Sequence, residues 1–445
     1  YHEQTRLEEA ADAHRRGMAE GTYGPAGRSN MLLCLNYLSS GTPQETFEAH
    51  REWAKQHAAS EREQPPKFSN TPEPNRRLRI GYVSPDFRAH SVNYFFEPLL
   101  RAHDSSEVEV FCYANVRQAD HVTARVQSRA DHWRNLLGAD DLEAAERIRR
   151  DEIDVLIDLA GHTAGHRLGV FSRRPAPVQV TYLGYPNTTG LGTIDYRITD
   201  DLADPPGKDD RWYSEALVRL PACFLCYQPP DEAPDISPPP CRERGYITFA
   251  SFNNLAKVSP QVIQAWARIL ERVAGAKLML KGKPLDDAGT RARFLDRFAE
   301  RGIGPDRLEL VGWVEGNYNH LTAYRDVDIA LDTFPYNGTK TTCESMWMGV
   351  PVVTVRGDRH AGRVGATLLH HVGRDQFVAE DEDAYVAIAA NLAERPGDLA
   401  DLRRGFRDRL RGSELCDAAR FARGFESALR QMWERWCADE TSRSE

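Results

Sequence analysis

The chain has 445 residues, 41% of them hydrophobic and 28% charged, with a formal net charge of −9. That length can bury two cores, and the composition is that of a globular protein rather than a disordered or membrane one. The acidic balance argues against bulk nucleic-acid binding, which needs a basic face.

No uninterrupted apolar run approaches the roughly 18 residues that a membrane span requires, and the opening Tyr1-His2-Glu3-Gln4 lacks a signal-peptide core. The sequence starts on Tyr1 rather than Met, so a piece of a longer protein is expected. Eight cysteines are too few and too scattered for a disulfide framework. Cys223 and Cys226 form a single CxxC among apolar neighbours and read as small semi-buried side chains, with no metal site expected. A reducing cytoplasm is the expected compartment.

Taken in order, residues 1–76 read as a helical segment and linker. Thr42, Pro43 and Glu45 form a capping box opening a helix to about Ala59, with Phe47, Ala54 and Ala58 on one face. A Pro-rich stretch over 61–76 precedes a first domain, expected over 77–235. Its strands are predicted at 78–83, 108–113, 155–159 and 178–183, with helices near 93–102 and 142–150. A second Pro-rich stretch at 228–244 leads to another domain over 236–416, with strands at 247–250, 278–281, 308–311, 327–331 and 352–355. The last helix, within 417–445, is expected to pack back on the first domain. Strands alternating with helices predict an α/β fold of two doubly wound, Rossmann-like domains facing a cleft, with an N-terminal helical segment. Polar loops after the strands should gather at the carboxyl edges, where such sheets bind ligands.

One stretch concentrates the chemistry. Asp332-Thr-Phe-Pro-Tyr-Asn-Gly-Thr-Lys-Thr-Thr-Cys-Glu-Ser-Met-Trp-Met-Gly349 runs from a buried strand, through a loop, into a helix start, where backbone N–H groups and partial positive charge favour anions. Asn337, Gly338, Thr339, Lys340, Thr341 and Thr342 are candidate phosphate contacts, though ordinary turn and capping chemistry uses the same residues. Glu344, one helical turn further on, could accept hydrogen bonds from ribose hydroxyls or serve as a first-turn acid. Lys257 closes another post-strand loop, Ser251–Lys257, and suits a diphosphate. His90 and His162, in strand-end loops of the first domain, are candidate general bases or acceptor-positioning groups. His320 precedes the main motif and could stack on a base.

Several runs together carry a family resemblance. They are Leu78-Arg-Ile-Gly-Tyr-Val-Ser-Pro-Asp-Phe-Arg-Ala-His90, Asp158-Leu-Ala-Gly-His-Thr163, Arg174–Val180, Leu183–Gly190, Phe252-Asn-Asn-Leu-Ala-Lys257 and the stretch 332–349. In order, from about Ser29 to Val378, the chain resembles the catalytic region of O-GlcNAc transferases, the bacterial tetratricopeptide-linked members most of all.

The resemblance implies a GT-B fold and an inverting, metal-independent transfer of N-acetylglucosamine from UDP-GlcNAc to Ser or Thr of a protein. It implies no cofactor, the nucleotide sugar being a substrate and UDP a product. On the same basis Lys257 offsets charge on the UDP leaving group, Thr341 and its neighbours hold the phosphates, and Glu344 takes the ribose. Asn254 and His320 fall near the nucleotide, and His90 falls at a base or acceptor-positioning histidine. Residues 1–76 would then end a tetratricopeptide region. Animal members carry His at the position of Thr339 and Asp at that of Glu344. Lys340 adds a positive charge beside the phosphates, which either tightens nucleotide binding or shifts which donor fits. Related readings keep the fold and change the chemistry to UDP-glucose, a GDP-sugar or an Asn acceptor. The rival from another class is a protein-binding module with a vestigial cleft.

Overall fold

The computed structural model describes residues 24–57 and 67–444, together with Glu9, Asp12, Ala13 and Arg16. The predicted end of the helix at Ala58 and Ala59, the linker residues 61–66 and most of 1–23 lie outside the described residues.

The first Rossmann-like unit is built on a seven-stranded sheet ordered β3-β2-β1-β4-β5-β6-β7. Its strands are β1 Leu78–Ser84, β2 Val108–Ala114, β3 His132–Asn135, β4 Val155–Asp158, β5 Val178–Thr181, β6 Tyr196–Asp200 and β7 Ala216–Leu220. All neighbouring strands are parallel. The order reverses between β1 and β4, the point at which an open α/β sheet leaves a crevice at its carboxyl edge. β1 and β4 are buried almost throughout, as expected of parallel strands covered on both faces.

The helices Pro25–Leu35 and Pro43–His57 do not stand apart from this unit. Leu32, Trp53 and Ala54 belong to the same apolar cluster as Val83, Phe111, Ile148 and Leu156. The capping box is present: Thr42 N–H donates to Glu45 Oε2 at 2.7 Å, and Glu45 N–H donates to Thr42 Oγ1 at 3.2 Å. The buried stripe is Thr46, His50, Trp53 and Ala54; of the expected face, Ala54 is on it and Phe47 is half-buried beside it. A histidine replaces an aliphatic residue on that stripe because both its ring nitrogens find partners, as described below.

The long helix Ala418–Ser444 also clusters with the first unit. Trp433 Nε1 donates to the Glu73 carbonyl at 3.0 Å and Arg430 to the Arg76 carbonyl at 2.7 Å, while the Arg76 guanidinium lies 4.6 Å from the Trp433 ring.

The second unit comprises residues 229–416 with the short segment Asn36–Ser40. Its six strands run β10-β9-β8-β11-β12-β13, all parallel. They are β8 Thr248–Ser251, β9 Lys277–Lys281, β10 Leu308–Val311, β11 Ile329–Leu331, β12 Val352–Val355 and β13 Val378–Ala379. A core of Phe249, Trp266, Leu278, Phe294, Ile329 and Tyr385 packs helices against the sheet. The order reverses between β8 and β11, which pair directly through Phe249 with Ile329 and Ala250 with Ala330. The two loops singled out from sequence, ending at Lys257 and beginning at Asp332, therefore leave neighbouring strands at the switch point.

Candidate active site

Asp332, the first residue after β11, organises the loop. It is buried, and its Oδ1 accepts from the N–H groups of Gly338 (2.7 Å) and Thr333 (2.8 Å) and from Asn253 Nδ2 (3.1 Å). Its Oδ2 accepts from Thr354 Oγ1 at 2.8 Å. Burial pushes this carboxyl above the ordinary range, against those donors and the Lys257 charge. Asn253, also buried, turns its Oδ1 to Thr341 Oγ1 at 2.6 Å. A Cβ at Gly338 would lie 2.6 Å from both of those oxygens, so only glycine lets the chain pass between them.

The helix Lys340–Trp347 starts where this clamp ends, with Thr339 as its N-cap residue. Its first-turn N–H groups have no carbonyl one turn earlier within the helix, so they are donors for an anion.

Lys257 approaches the same loop. Its Nζ donates to the Asn337 carbonyl at 2.6 Å and lies 3.9 Å from the centroid of the Tyr336 ring. Burial lowers its pKa to about 8, with the Asp332 carboxylate opposing. The ammonium is held by one carbonyl and a ring face rather than by a salt bridge, leaving its charge to act on an incoming anion.

Glu344 lies one turn into the helix and is 1% exposed. It pairs with Lys340 Nζ, four residues earlier on the helix, and with His320 Nε2 at 3.2 Å. Burial pushes its pKa up, but the Lys340 charge and the His320 hydrogen bond outweigh that and bring it to about 2. On the other side of the imidazole, Lys281 Nζ donates to His320 Nδ1 at 2.7 Å. An ammonium has no acceptor to offer, so Nδ1 accepts and Nε2 carries the hydrogen given to Glu344. Phe252 and Tyr324 flank His320, their ring centroids at 5.9 and 6.0 Å.

The other predicted nucleotide residues divide by what they touch. Asn337 spends its side chain on the fold: Nδ2 donates to the Thr333 carbonyl at 2.9 Å and Oδ1 accepts from Gly365 N–H at 3.1 Å. Thr342 is buried. Asn254 is exposed, and its Oδ1 caps the turn Leu255–Lys257 by accepting from Ala256 N–H at 3.0 Å. Its neighbour Asn253, not singled out from sequence, reaches the clamp instead. Asp332, Lys281, Phe252, Tyr324 and Tyr336 were likewise missed as site residues. A lysine at the last position of β9 was the one available signal for Lys281.

In the first unit, His90 Nδ1 lies 3.6 Å from Asp86 Oδ2 and 3.4 Å from Val92 N. Partial burial lowers its pKa; Arg88 adds to that and Asp86 opposes it. It keeps enough exposure to meet a hydroxyl.

His162, the other expected base, sits in a different setting. It is fully buried, with Nε2 donating to the Thr189 carbonyl at 2.8 Å and Nδ1 bonded to Ser29 Oγ at 3.1 Å. The Trp53 ring packs edge-on, 4.6 Å away. Burial holds its pKa well below the usual histidine range. Nδ1 ties the loop after β4 to the helix Pro25–Leu35, and Nε2 ties it to the loop after β5. The loop Asn187–Thr189 is similarly closed, since buried Glu215 accepts from Thr188 Oγ1 (2.6 Å) and Thr189 N–H (2.8 Å).

A lysine, a helix start and a buried carboxylate at the switch point of a parallel sheet are groups that suit an anionic ligand. The family model for glycosyl transferase family 41 matches residues 39–228 and 243–425, and the chain belongs to that family.

It is 47% identical over 412 residues to the protein named probable UDP-N-acetylglucosamine–peptide N-acetylglucosaminyltransferase SPINDLY from Petunia hybrida, covering 92% of this chain and 44% of that one. It is 32% identical over 373 residues to the Arabidopsis thaliana protein with the same activity in its name and called SEC, covering 82% and 38%. The chain thus spans under half the length of these curated relatives. Among solved structures, a variant of the O-GlcNAc transferase from Thermobaculum terrenum is 37% identical with a TM-score of 0.94, over 99% of this chain and 83% of that one. Sucrose-phosphate synthase from Thermosynechococcus elongatus, 13% identical with a TM-score of 0.53, shares the fold alone. The fold is GT-B-like.

Proposed function

We propose that this chain is the catalytic region of a protein O-glycosyltransferase that moves N-acetylglucosamine from UDP-GlcNAc to Ser or Thr with inversion and without a metal. The observation that carries the reading is the Lys257 ammonium, 2.6 Å from the Asn337 carbonyl and beside the start of the helix Lys340–Trp347. As the glycosidic bond breaks, charge grows on the departing diphosphate. Lys257 and the first-turn N–H groups are placed to stabilise it, a task that other transferases give to a cation. Glu344 serves as the ribose-binding carboxylate, with His320 and Phe252 beside it. His90 is the candidate for taking the acceptor proton or orienting the hydroxyl. The activity named for the relatives supports the donor and the peptide acceptor. We place the activity in the cytoplasm and next to a tetratricopeptide region in the whole protein. Among the described residues, no helix is long and apolar enough to cross a membrane.

The test incubates the protein with radiolabelled UDP-GlcNAc, UDP-glucose and GDP-sugars in parallel, each with a Ser/Thr and Asn peptide library. Transfer from UDP-GlcNAc to Ser or Thr is expected. Turnover of another donor alone would keep the class and replace the sugar. No turnover of any donor, together with no nucleotide-induced rise in Tm, would overturn the enzyme reading in favour of a binding module.

A further inference from the structure

The segment Asn36–Ser40 follows the helix Pro25–Leu35 yet clusters with the second unit. Tyr37 is its anchor, 6% exposed, with Leu38 buried beside it. The Tyr37 ring stacks on Tyr336 with centroids 5.1 Å apart and planes inclined by 18°. The same Tyr336 ring carries the Lys257 ammonium, 3.9 Å from its centroid. Ser39 Oγ, two residues on, donates to Gln261 Oε1 at 3.2 Å, tying the segment to the helix Pro260–Arg272.

A tyrosine from a distant part of the sequence, a tyrosine of the site loop and the candidate catalytic lysine thus form one ladder. We propose that Tyr37 is a positioning residue for Lys257, acting through Tyr336. The inference rests on the reading of Lys257 given above, but it can be tested without it.

The physical argument is one of support and exclusion. A single aromatic ring in a loop can tilt, and an ammonium resting on it would move with it. A second ring packed nearly parallel to the first fixes its plane and adds apolar cover around it. The charged group acting on Lys257 is Asp332; its other contacts are the Asn337 carbonyl and the Tyr336 face. Removing Tyr37 would have two opposed effects on the ammonium. A looser ring contact makes the charged form less favourable, and readmitted water makes it more favourable. Burial is the larger influence on this lysine, so the second effect wins and its titration moves upward.

The experiment measures the pH dependence of Lys257 acylation by trace acetic anhydride, read by mass spectrometry of the whole chain, in wild type, Tyr37→Ala, Tyr37→Phe and Tyr37→Leu. Tyr37→Phe keeps the stacked ring and should reproduce the wild-type midpoint. Tyr37→Ala should raise it by about one pH unit or more, and Tyr37→Leu should move it in the same direction. In the transfer assay, Tyr37→Ala should lower kcat about tenfold, with Tyr37→Phe close to wild type. A Tyr37→Ala midpoint that superimposes on wild type overturns the proposal, as does a Tyr37→Phe midpoint displaced like that of the alanine variant. If Tyr37→Ala fails to fold, Tyr37→Leu, which keeps apolar bulk without the flat ring, decides between the same two outcomes. A shifted midpoint in a protein that turns over no donor would uphold the positioning role while removing the proposed function.

Discussion

Lys257 Nζ and the Asn337 carbonyl oxygen stand 2.6 Å apart, joining the loop after β8 to the loop after β11. This bond sets an ammonium beside a helix start without consuming it in a salt bridge. With a pKa of about 8, the lysine is charged at neutral pH and loses its proton as pH rises through that value. Transfer should therefore fall on the alkaline side, with a limb near pH 8 in kcat/KM, which reports the free enzyme. Lys257→Ala should keep the Tm and reduce kcat about a thousandfold, the loss of a leaving-group stabiliser. Near-normal turnover in that variant would remove Lys257 from the mechanism.

Glu344 is buried and yet ionised, which its cationic neighbours explain. The charged and titratable groups around it are Lys340 on its own helix, His320, Lys281 behind His320, and the Tyr324 phenol. Its folded pKa is depressed, so the carboxylate persists as pH falls until about 2. In Lys340→Ala the largest opposing charge is gone and burial should raise that pKa. Beyond the wild-type pH dependence, which carries the titration of Lys257 and of the UDP phosphate, UDP affinity in that variant should weaken further as pH falls, by about threefold or more between pH 8 and 5. Lys340→Arg should restore the wild-type profile. Calorimetric titration across pH would decide it, and an alanine profile parallel to that of wild type would dismiss Lys340 as the counter-ion.

Gly338→Ala tests the clamp. The added methyl meets Asn253 Oδ1 and Thr341 Oγ1 at 2.6 Å, far inside contact distance. One of these side chains must give way, and with it the donors held by Asp332. Nucleotide affinity should drop about tenfold, close to 1.4 kcal/mol. Unchanged affinity in the alanine variant would mean that the loop adapts and that its spacing is not what binds the anion.

The alternation of strand and helix could be read from the sequence because β1, β2, β4, β5 and β8–β12 are mostly apolar runs between polar loops. Of the strands that escaped, β7 does carry an apolar run, Ala216-Leu-Val-Arg-Leu220, whereas β3 and β6 do not. β3 is His132-Trp-Arg-Asn135 on an edge, none of it fully buried. β6 buries Arg197, whose guanidinium donates to the carbonyls of Tyr185 (3.0 Å) and Asn187 (2.9 Å); no hydrophobic pattern can announce that. The phosphate loop was visible for the opposite reason, since Pro335, Gly338 and a hydroxyl-rich helix start cluster in one stretch. Its partners were not. Asn253 and Asn254 are adjacent and chemically identical, and only the fold shows which one reaches Asp332. Burial likewise separates His90 from His162, two loop histidines with similar sequence surroundings.

His90 should matter to the acceptor step rather than to the nucleotide. It is partly exposed and has a carboxylate within 3.6 Å, the setting of a base oriented by an acid. His90→Ala should lower kcat about a hundredfold and leave the UDP Kd within about twofold. The reverse pattern, a weaker Kd with kcat preserved, would make it a nucleotide ligand.

The buried histidines of the first unit predict an acid sensitivity of the fold. His50 Nδ1 donates to the Thr46 carbonyl (2.6 Å), and its Nε2 accepts from the Tyr185 hydroxyl (2.8 Å). His166 Nδ1 accepts from Leu168 N–H (3.3 Å), which leaves its Nε2–H to donate to Ser29 Oγ (2.9 Å). The Ser29 hydroxyl can then donate to His162 Nδ1, and His162 Nε2–H to the Thr189 carbonyl. Every ring is neutral in this chain of bonds, and a second proton on any of them would face a donor. The chain closes further because Gly190 (φ +79°) brings its backbone against the His50 carbonyl, where a Cβ would sit 2.3 Å from that oxygen. Burial holds His50 and His166 at about 4 and His162 well below the usual histidine range. These folded values lie below the unfolded value near 6.5. Stability from the network is therefore complete above about pH 6.5 and lost as pH falls through the interval down to about 4. Each histidine should contribute a slope of about 1.4 kcal/mol per pH unit there. Thermal melting between pH 7.5 and 5 should show a falling Tm accompanied by loosening of the helices Pro25–Leu35 and Pro43–His57, read by hydrogen exchange at their amides. A Tm and exchange pattern unchanged down to pH 5 would mean that these rings are not held neutral.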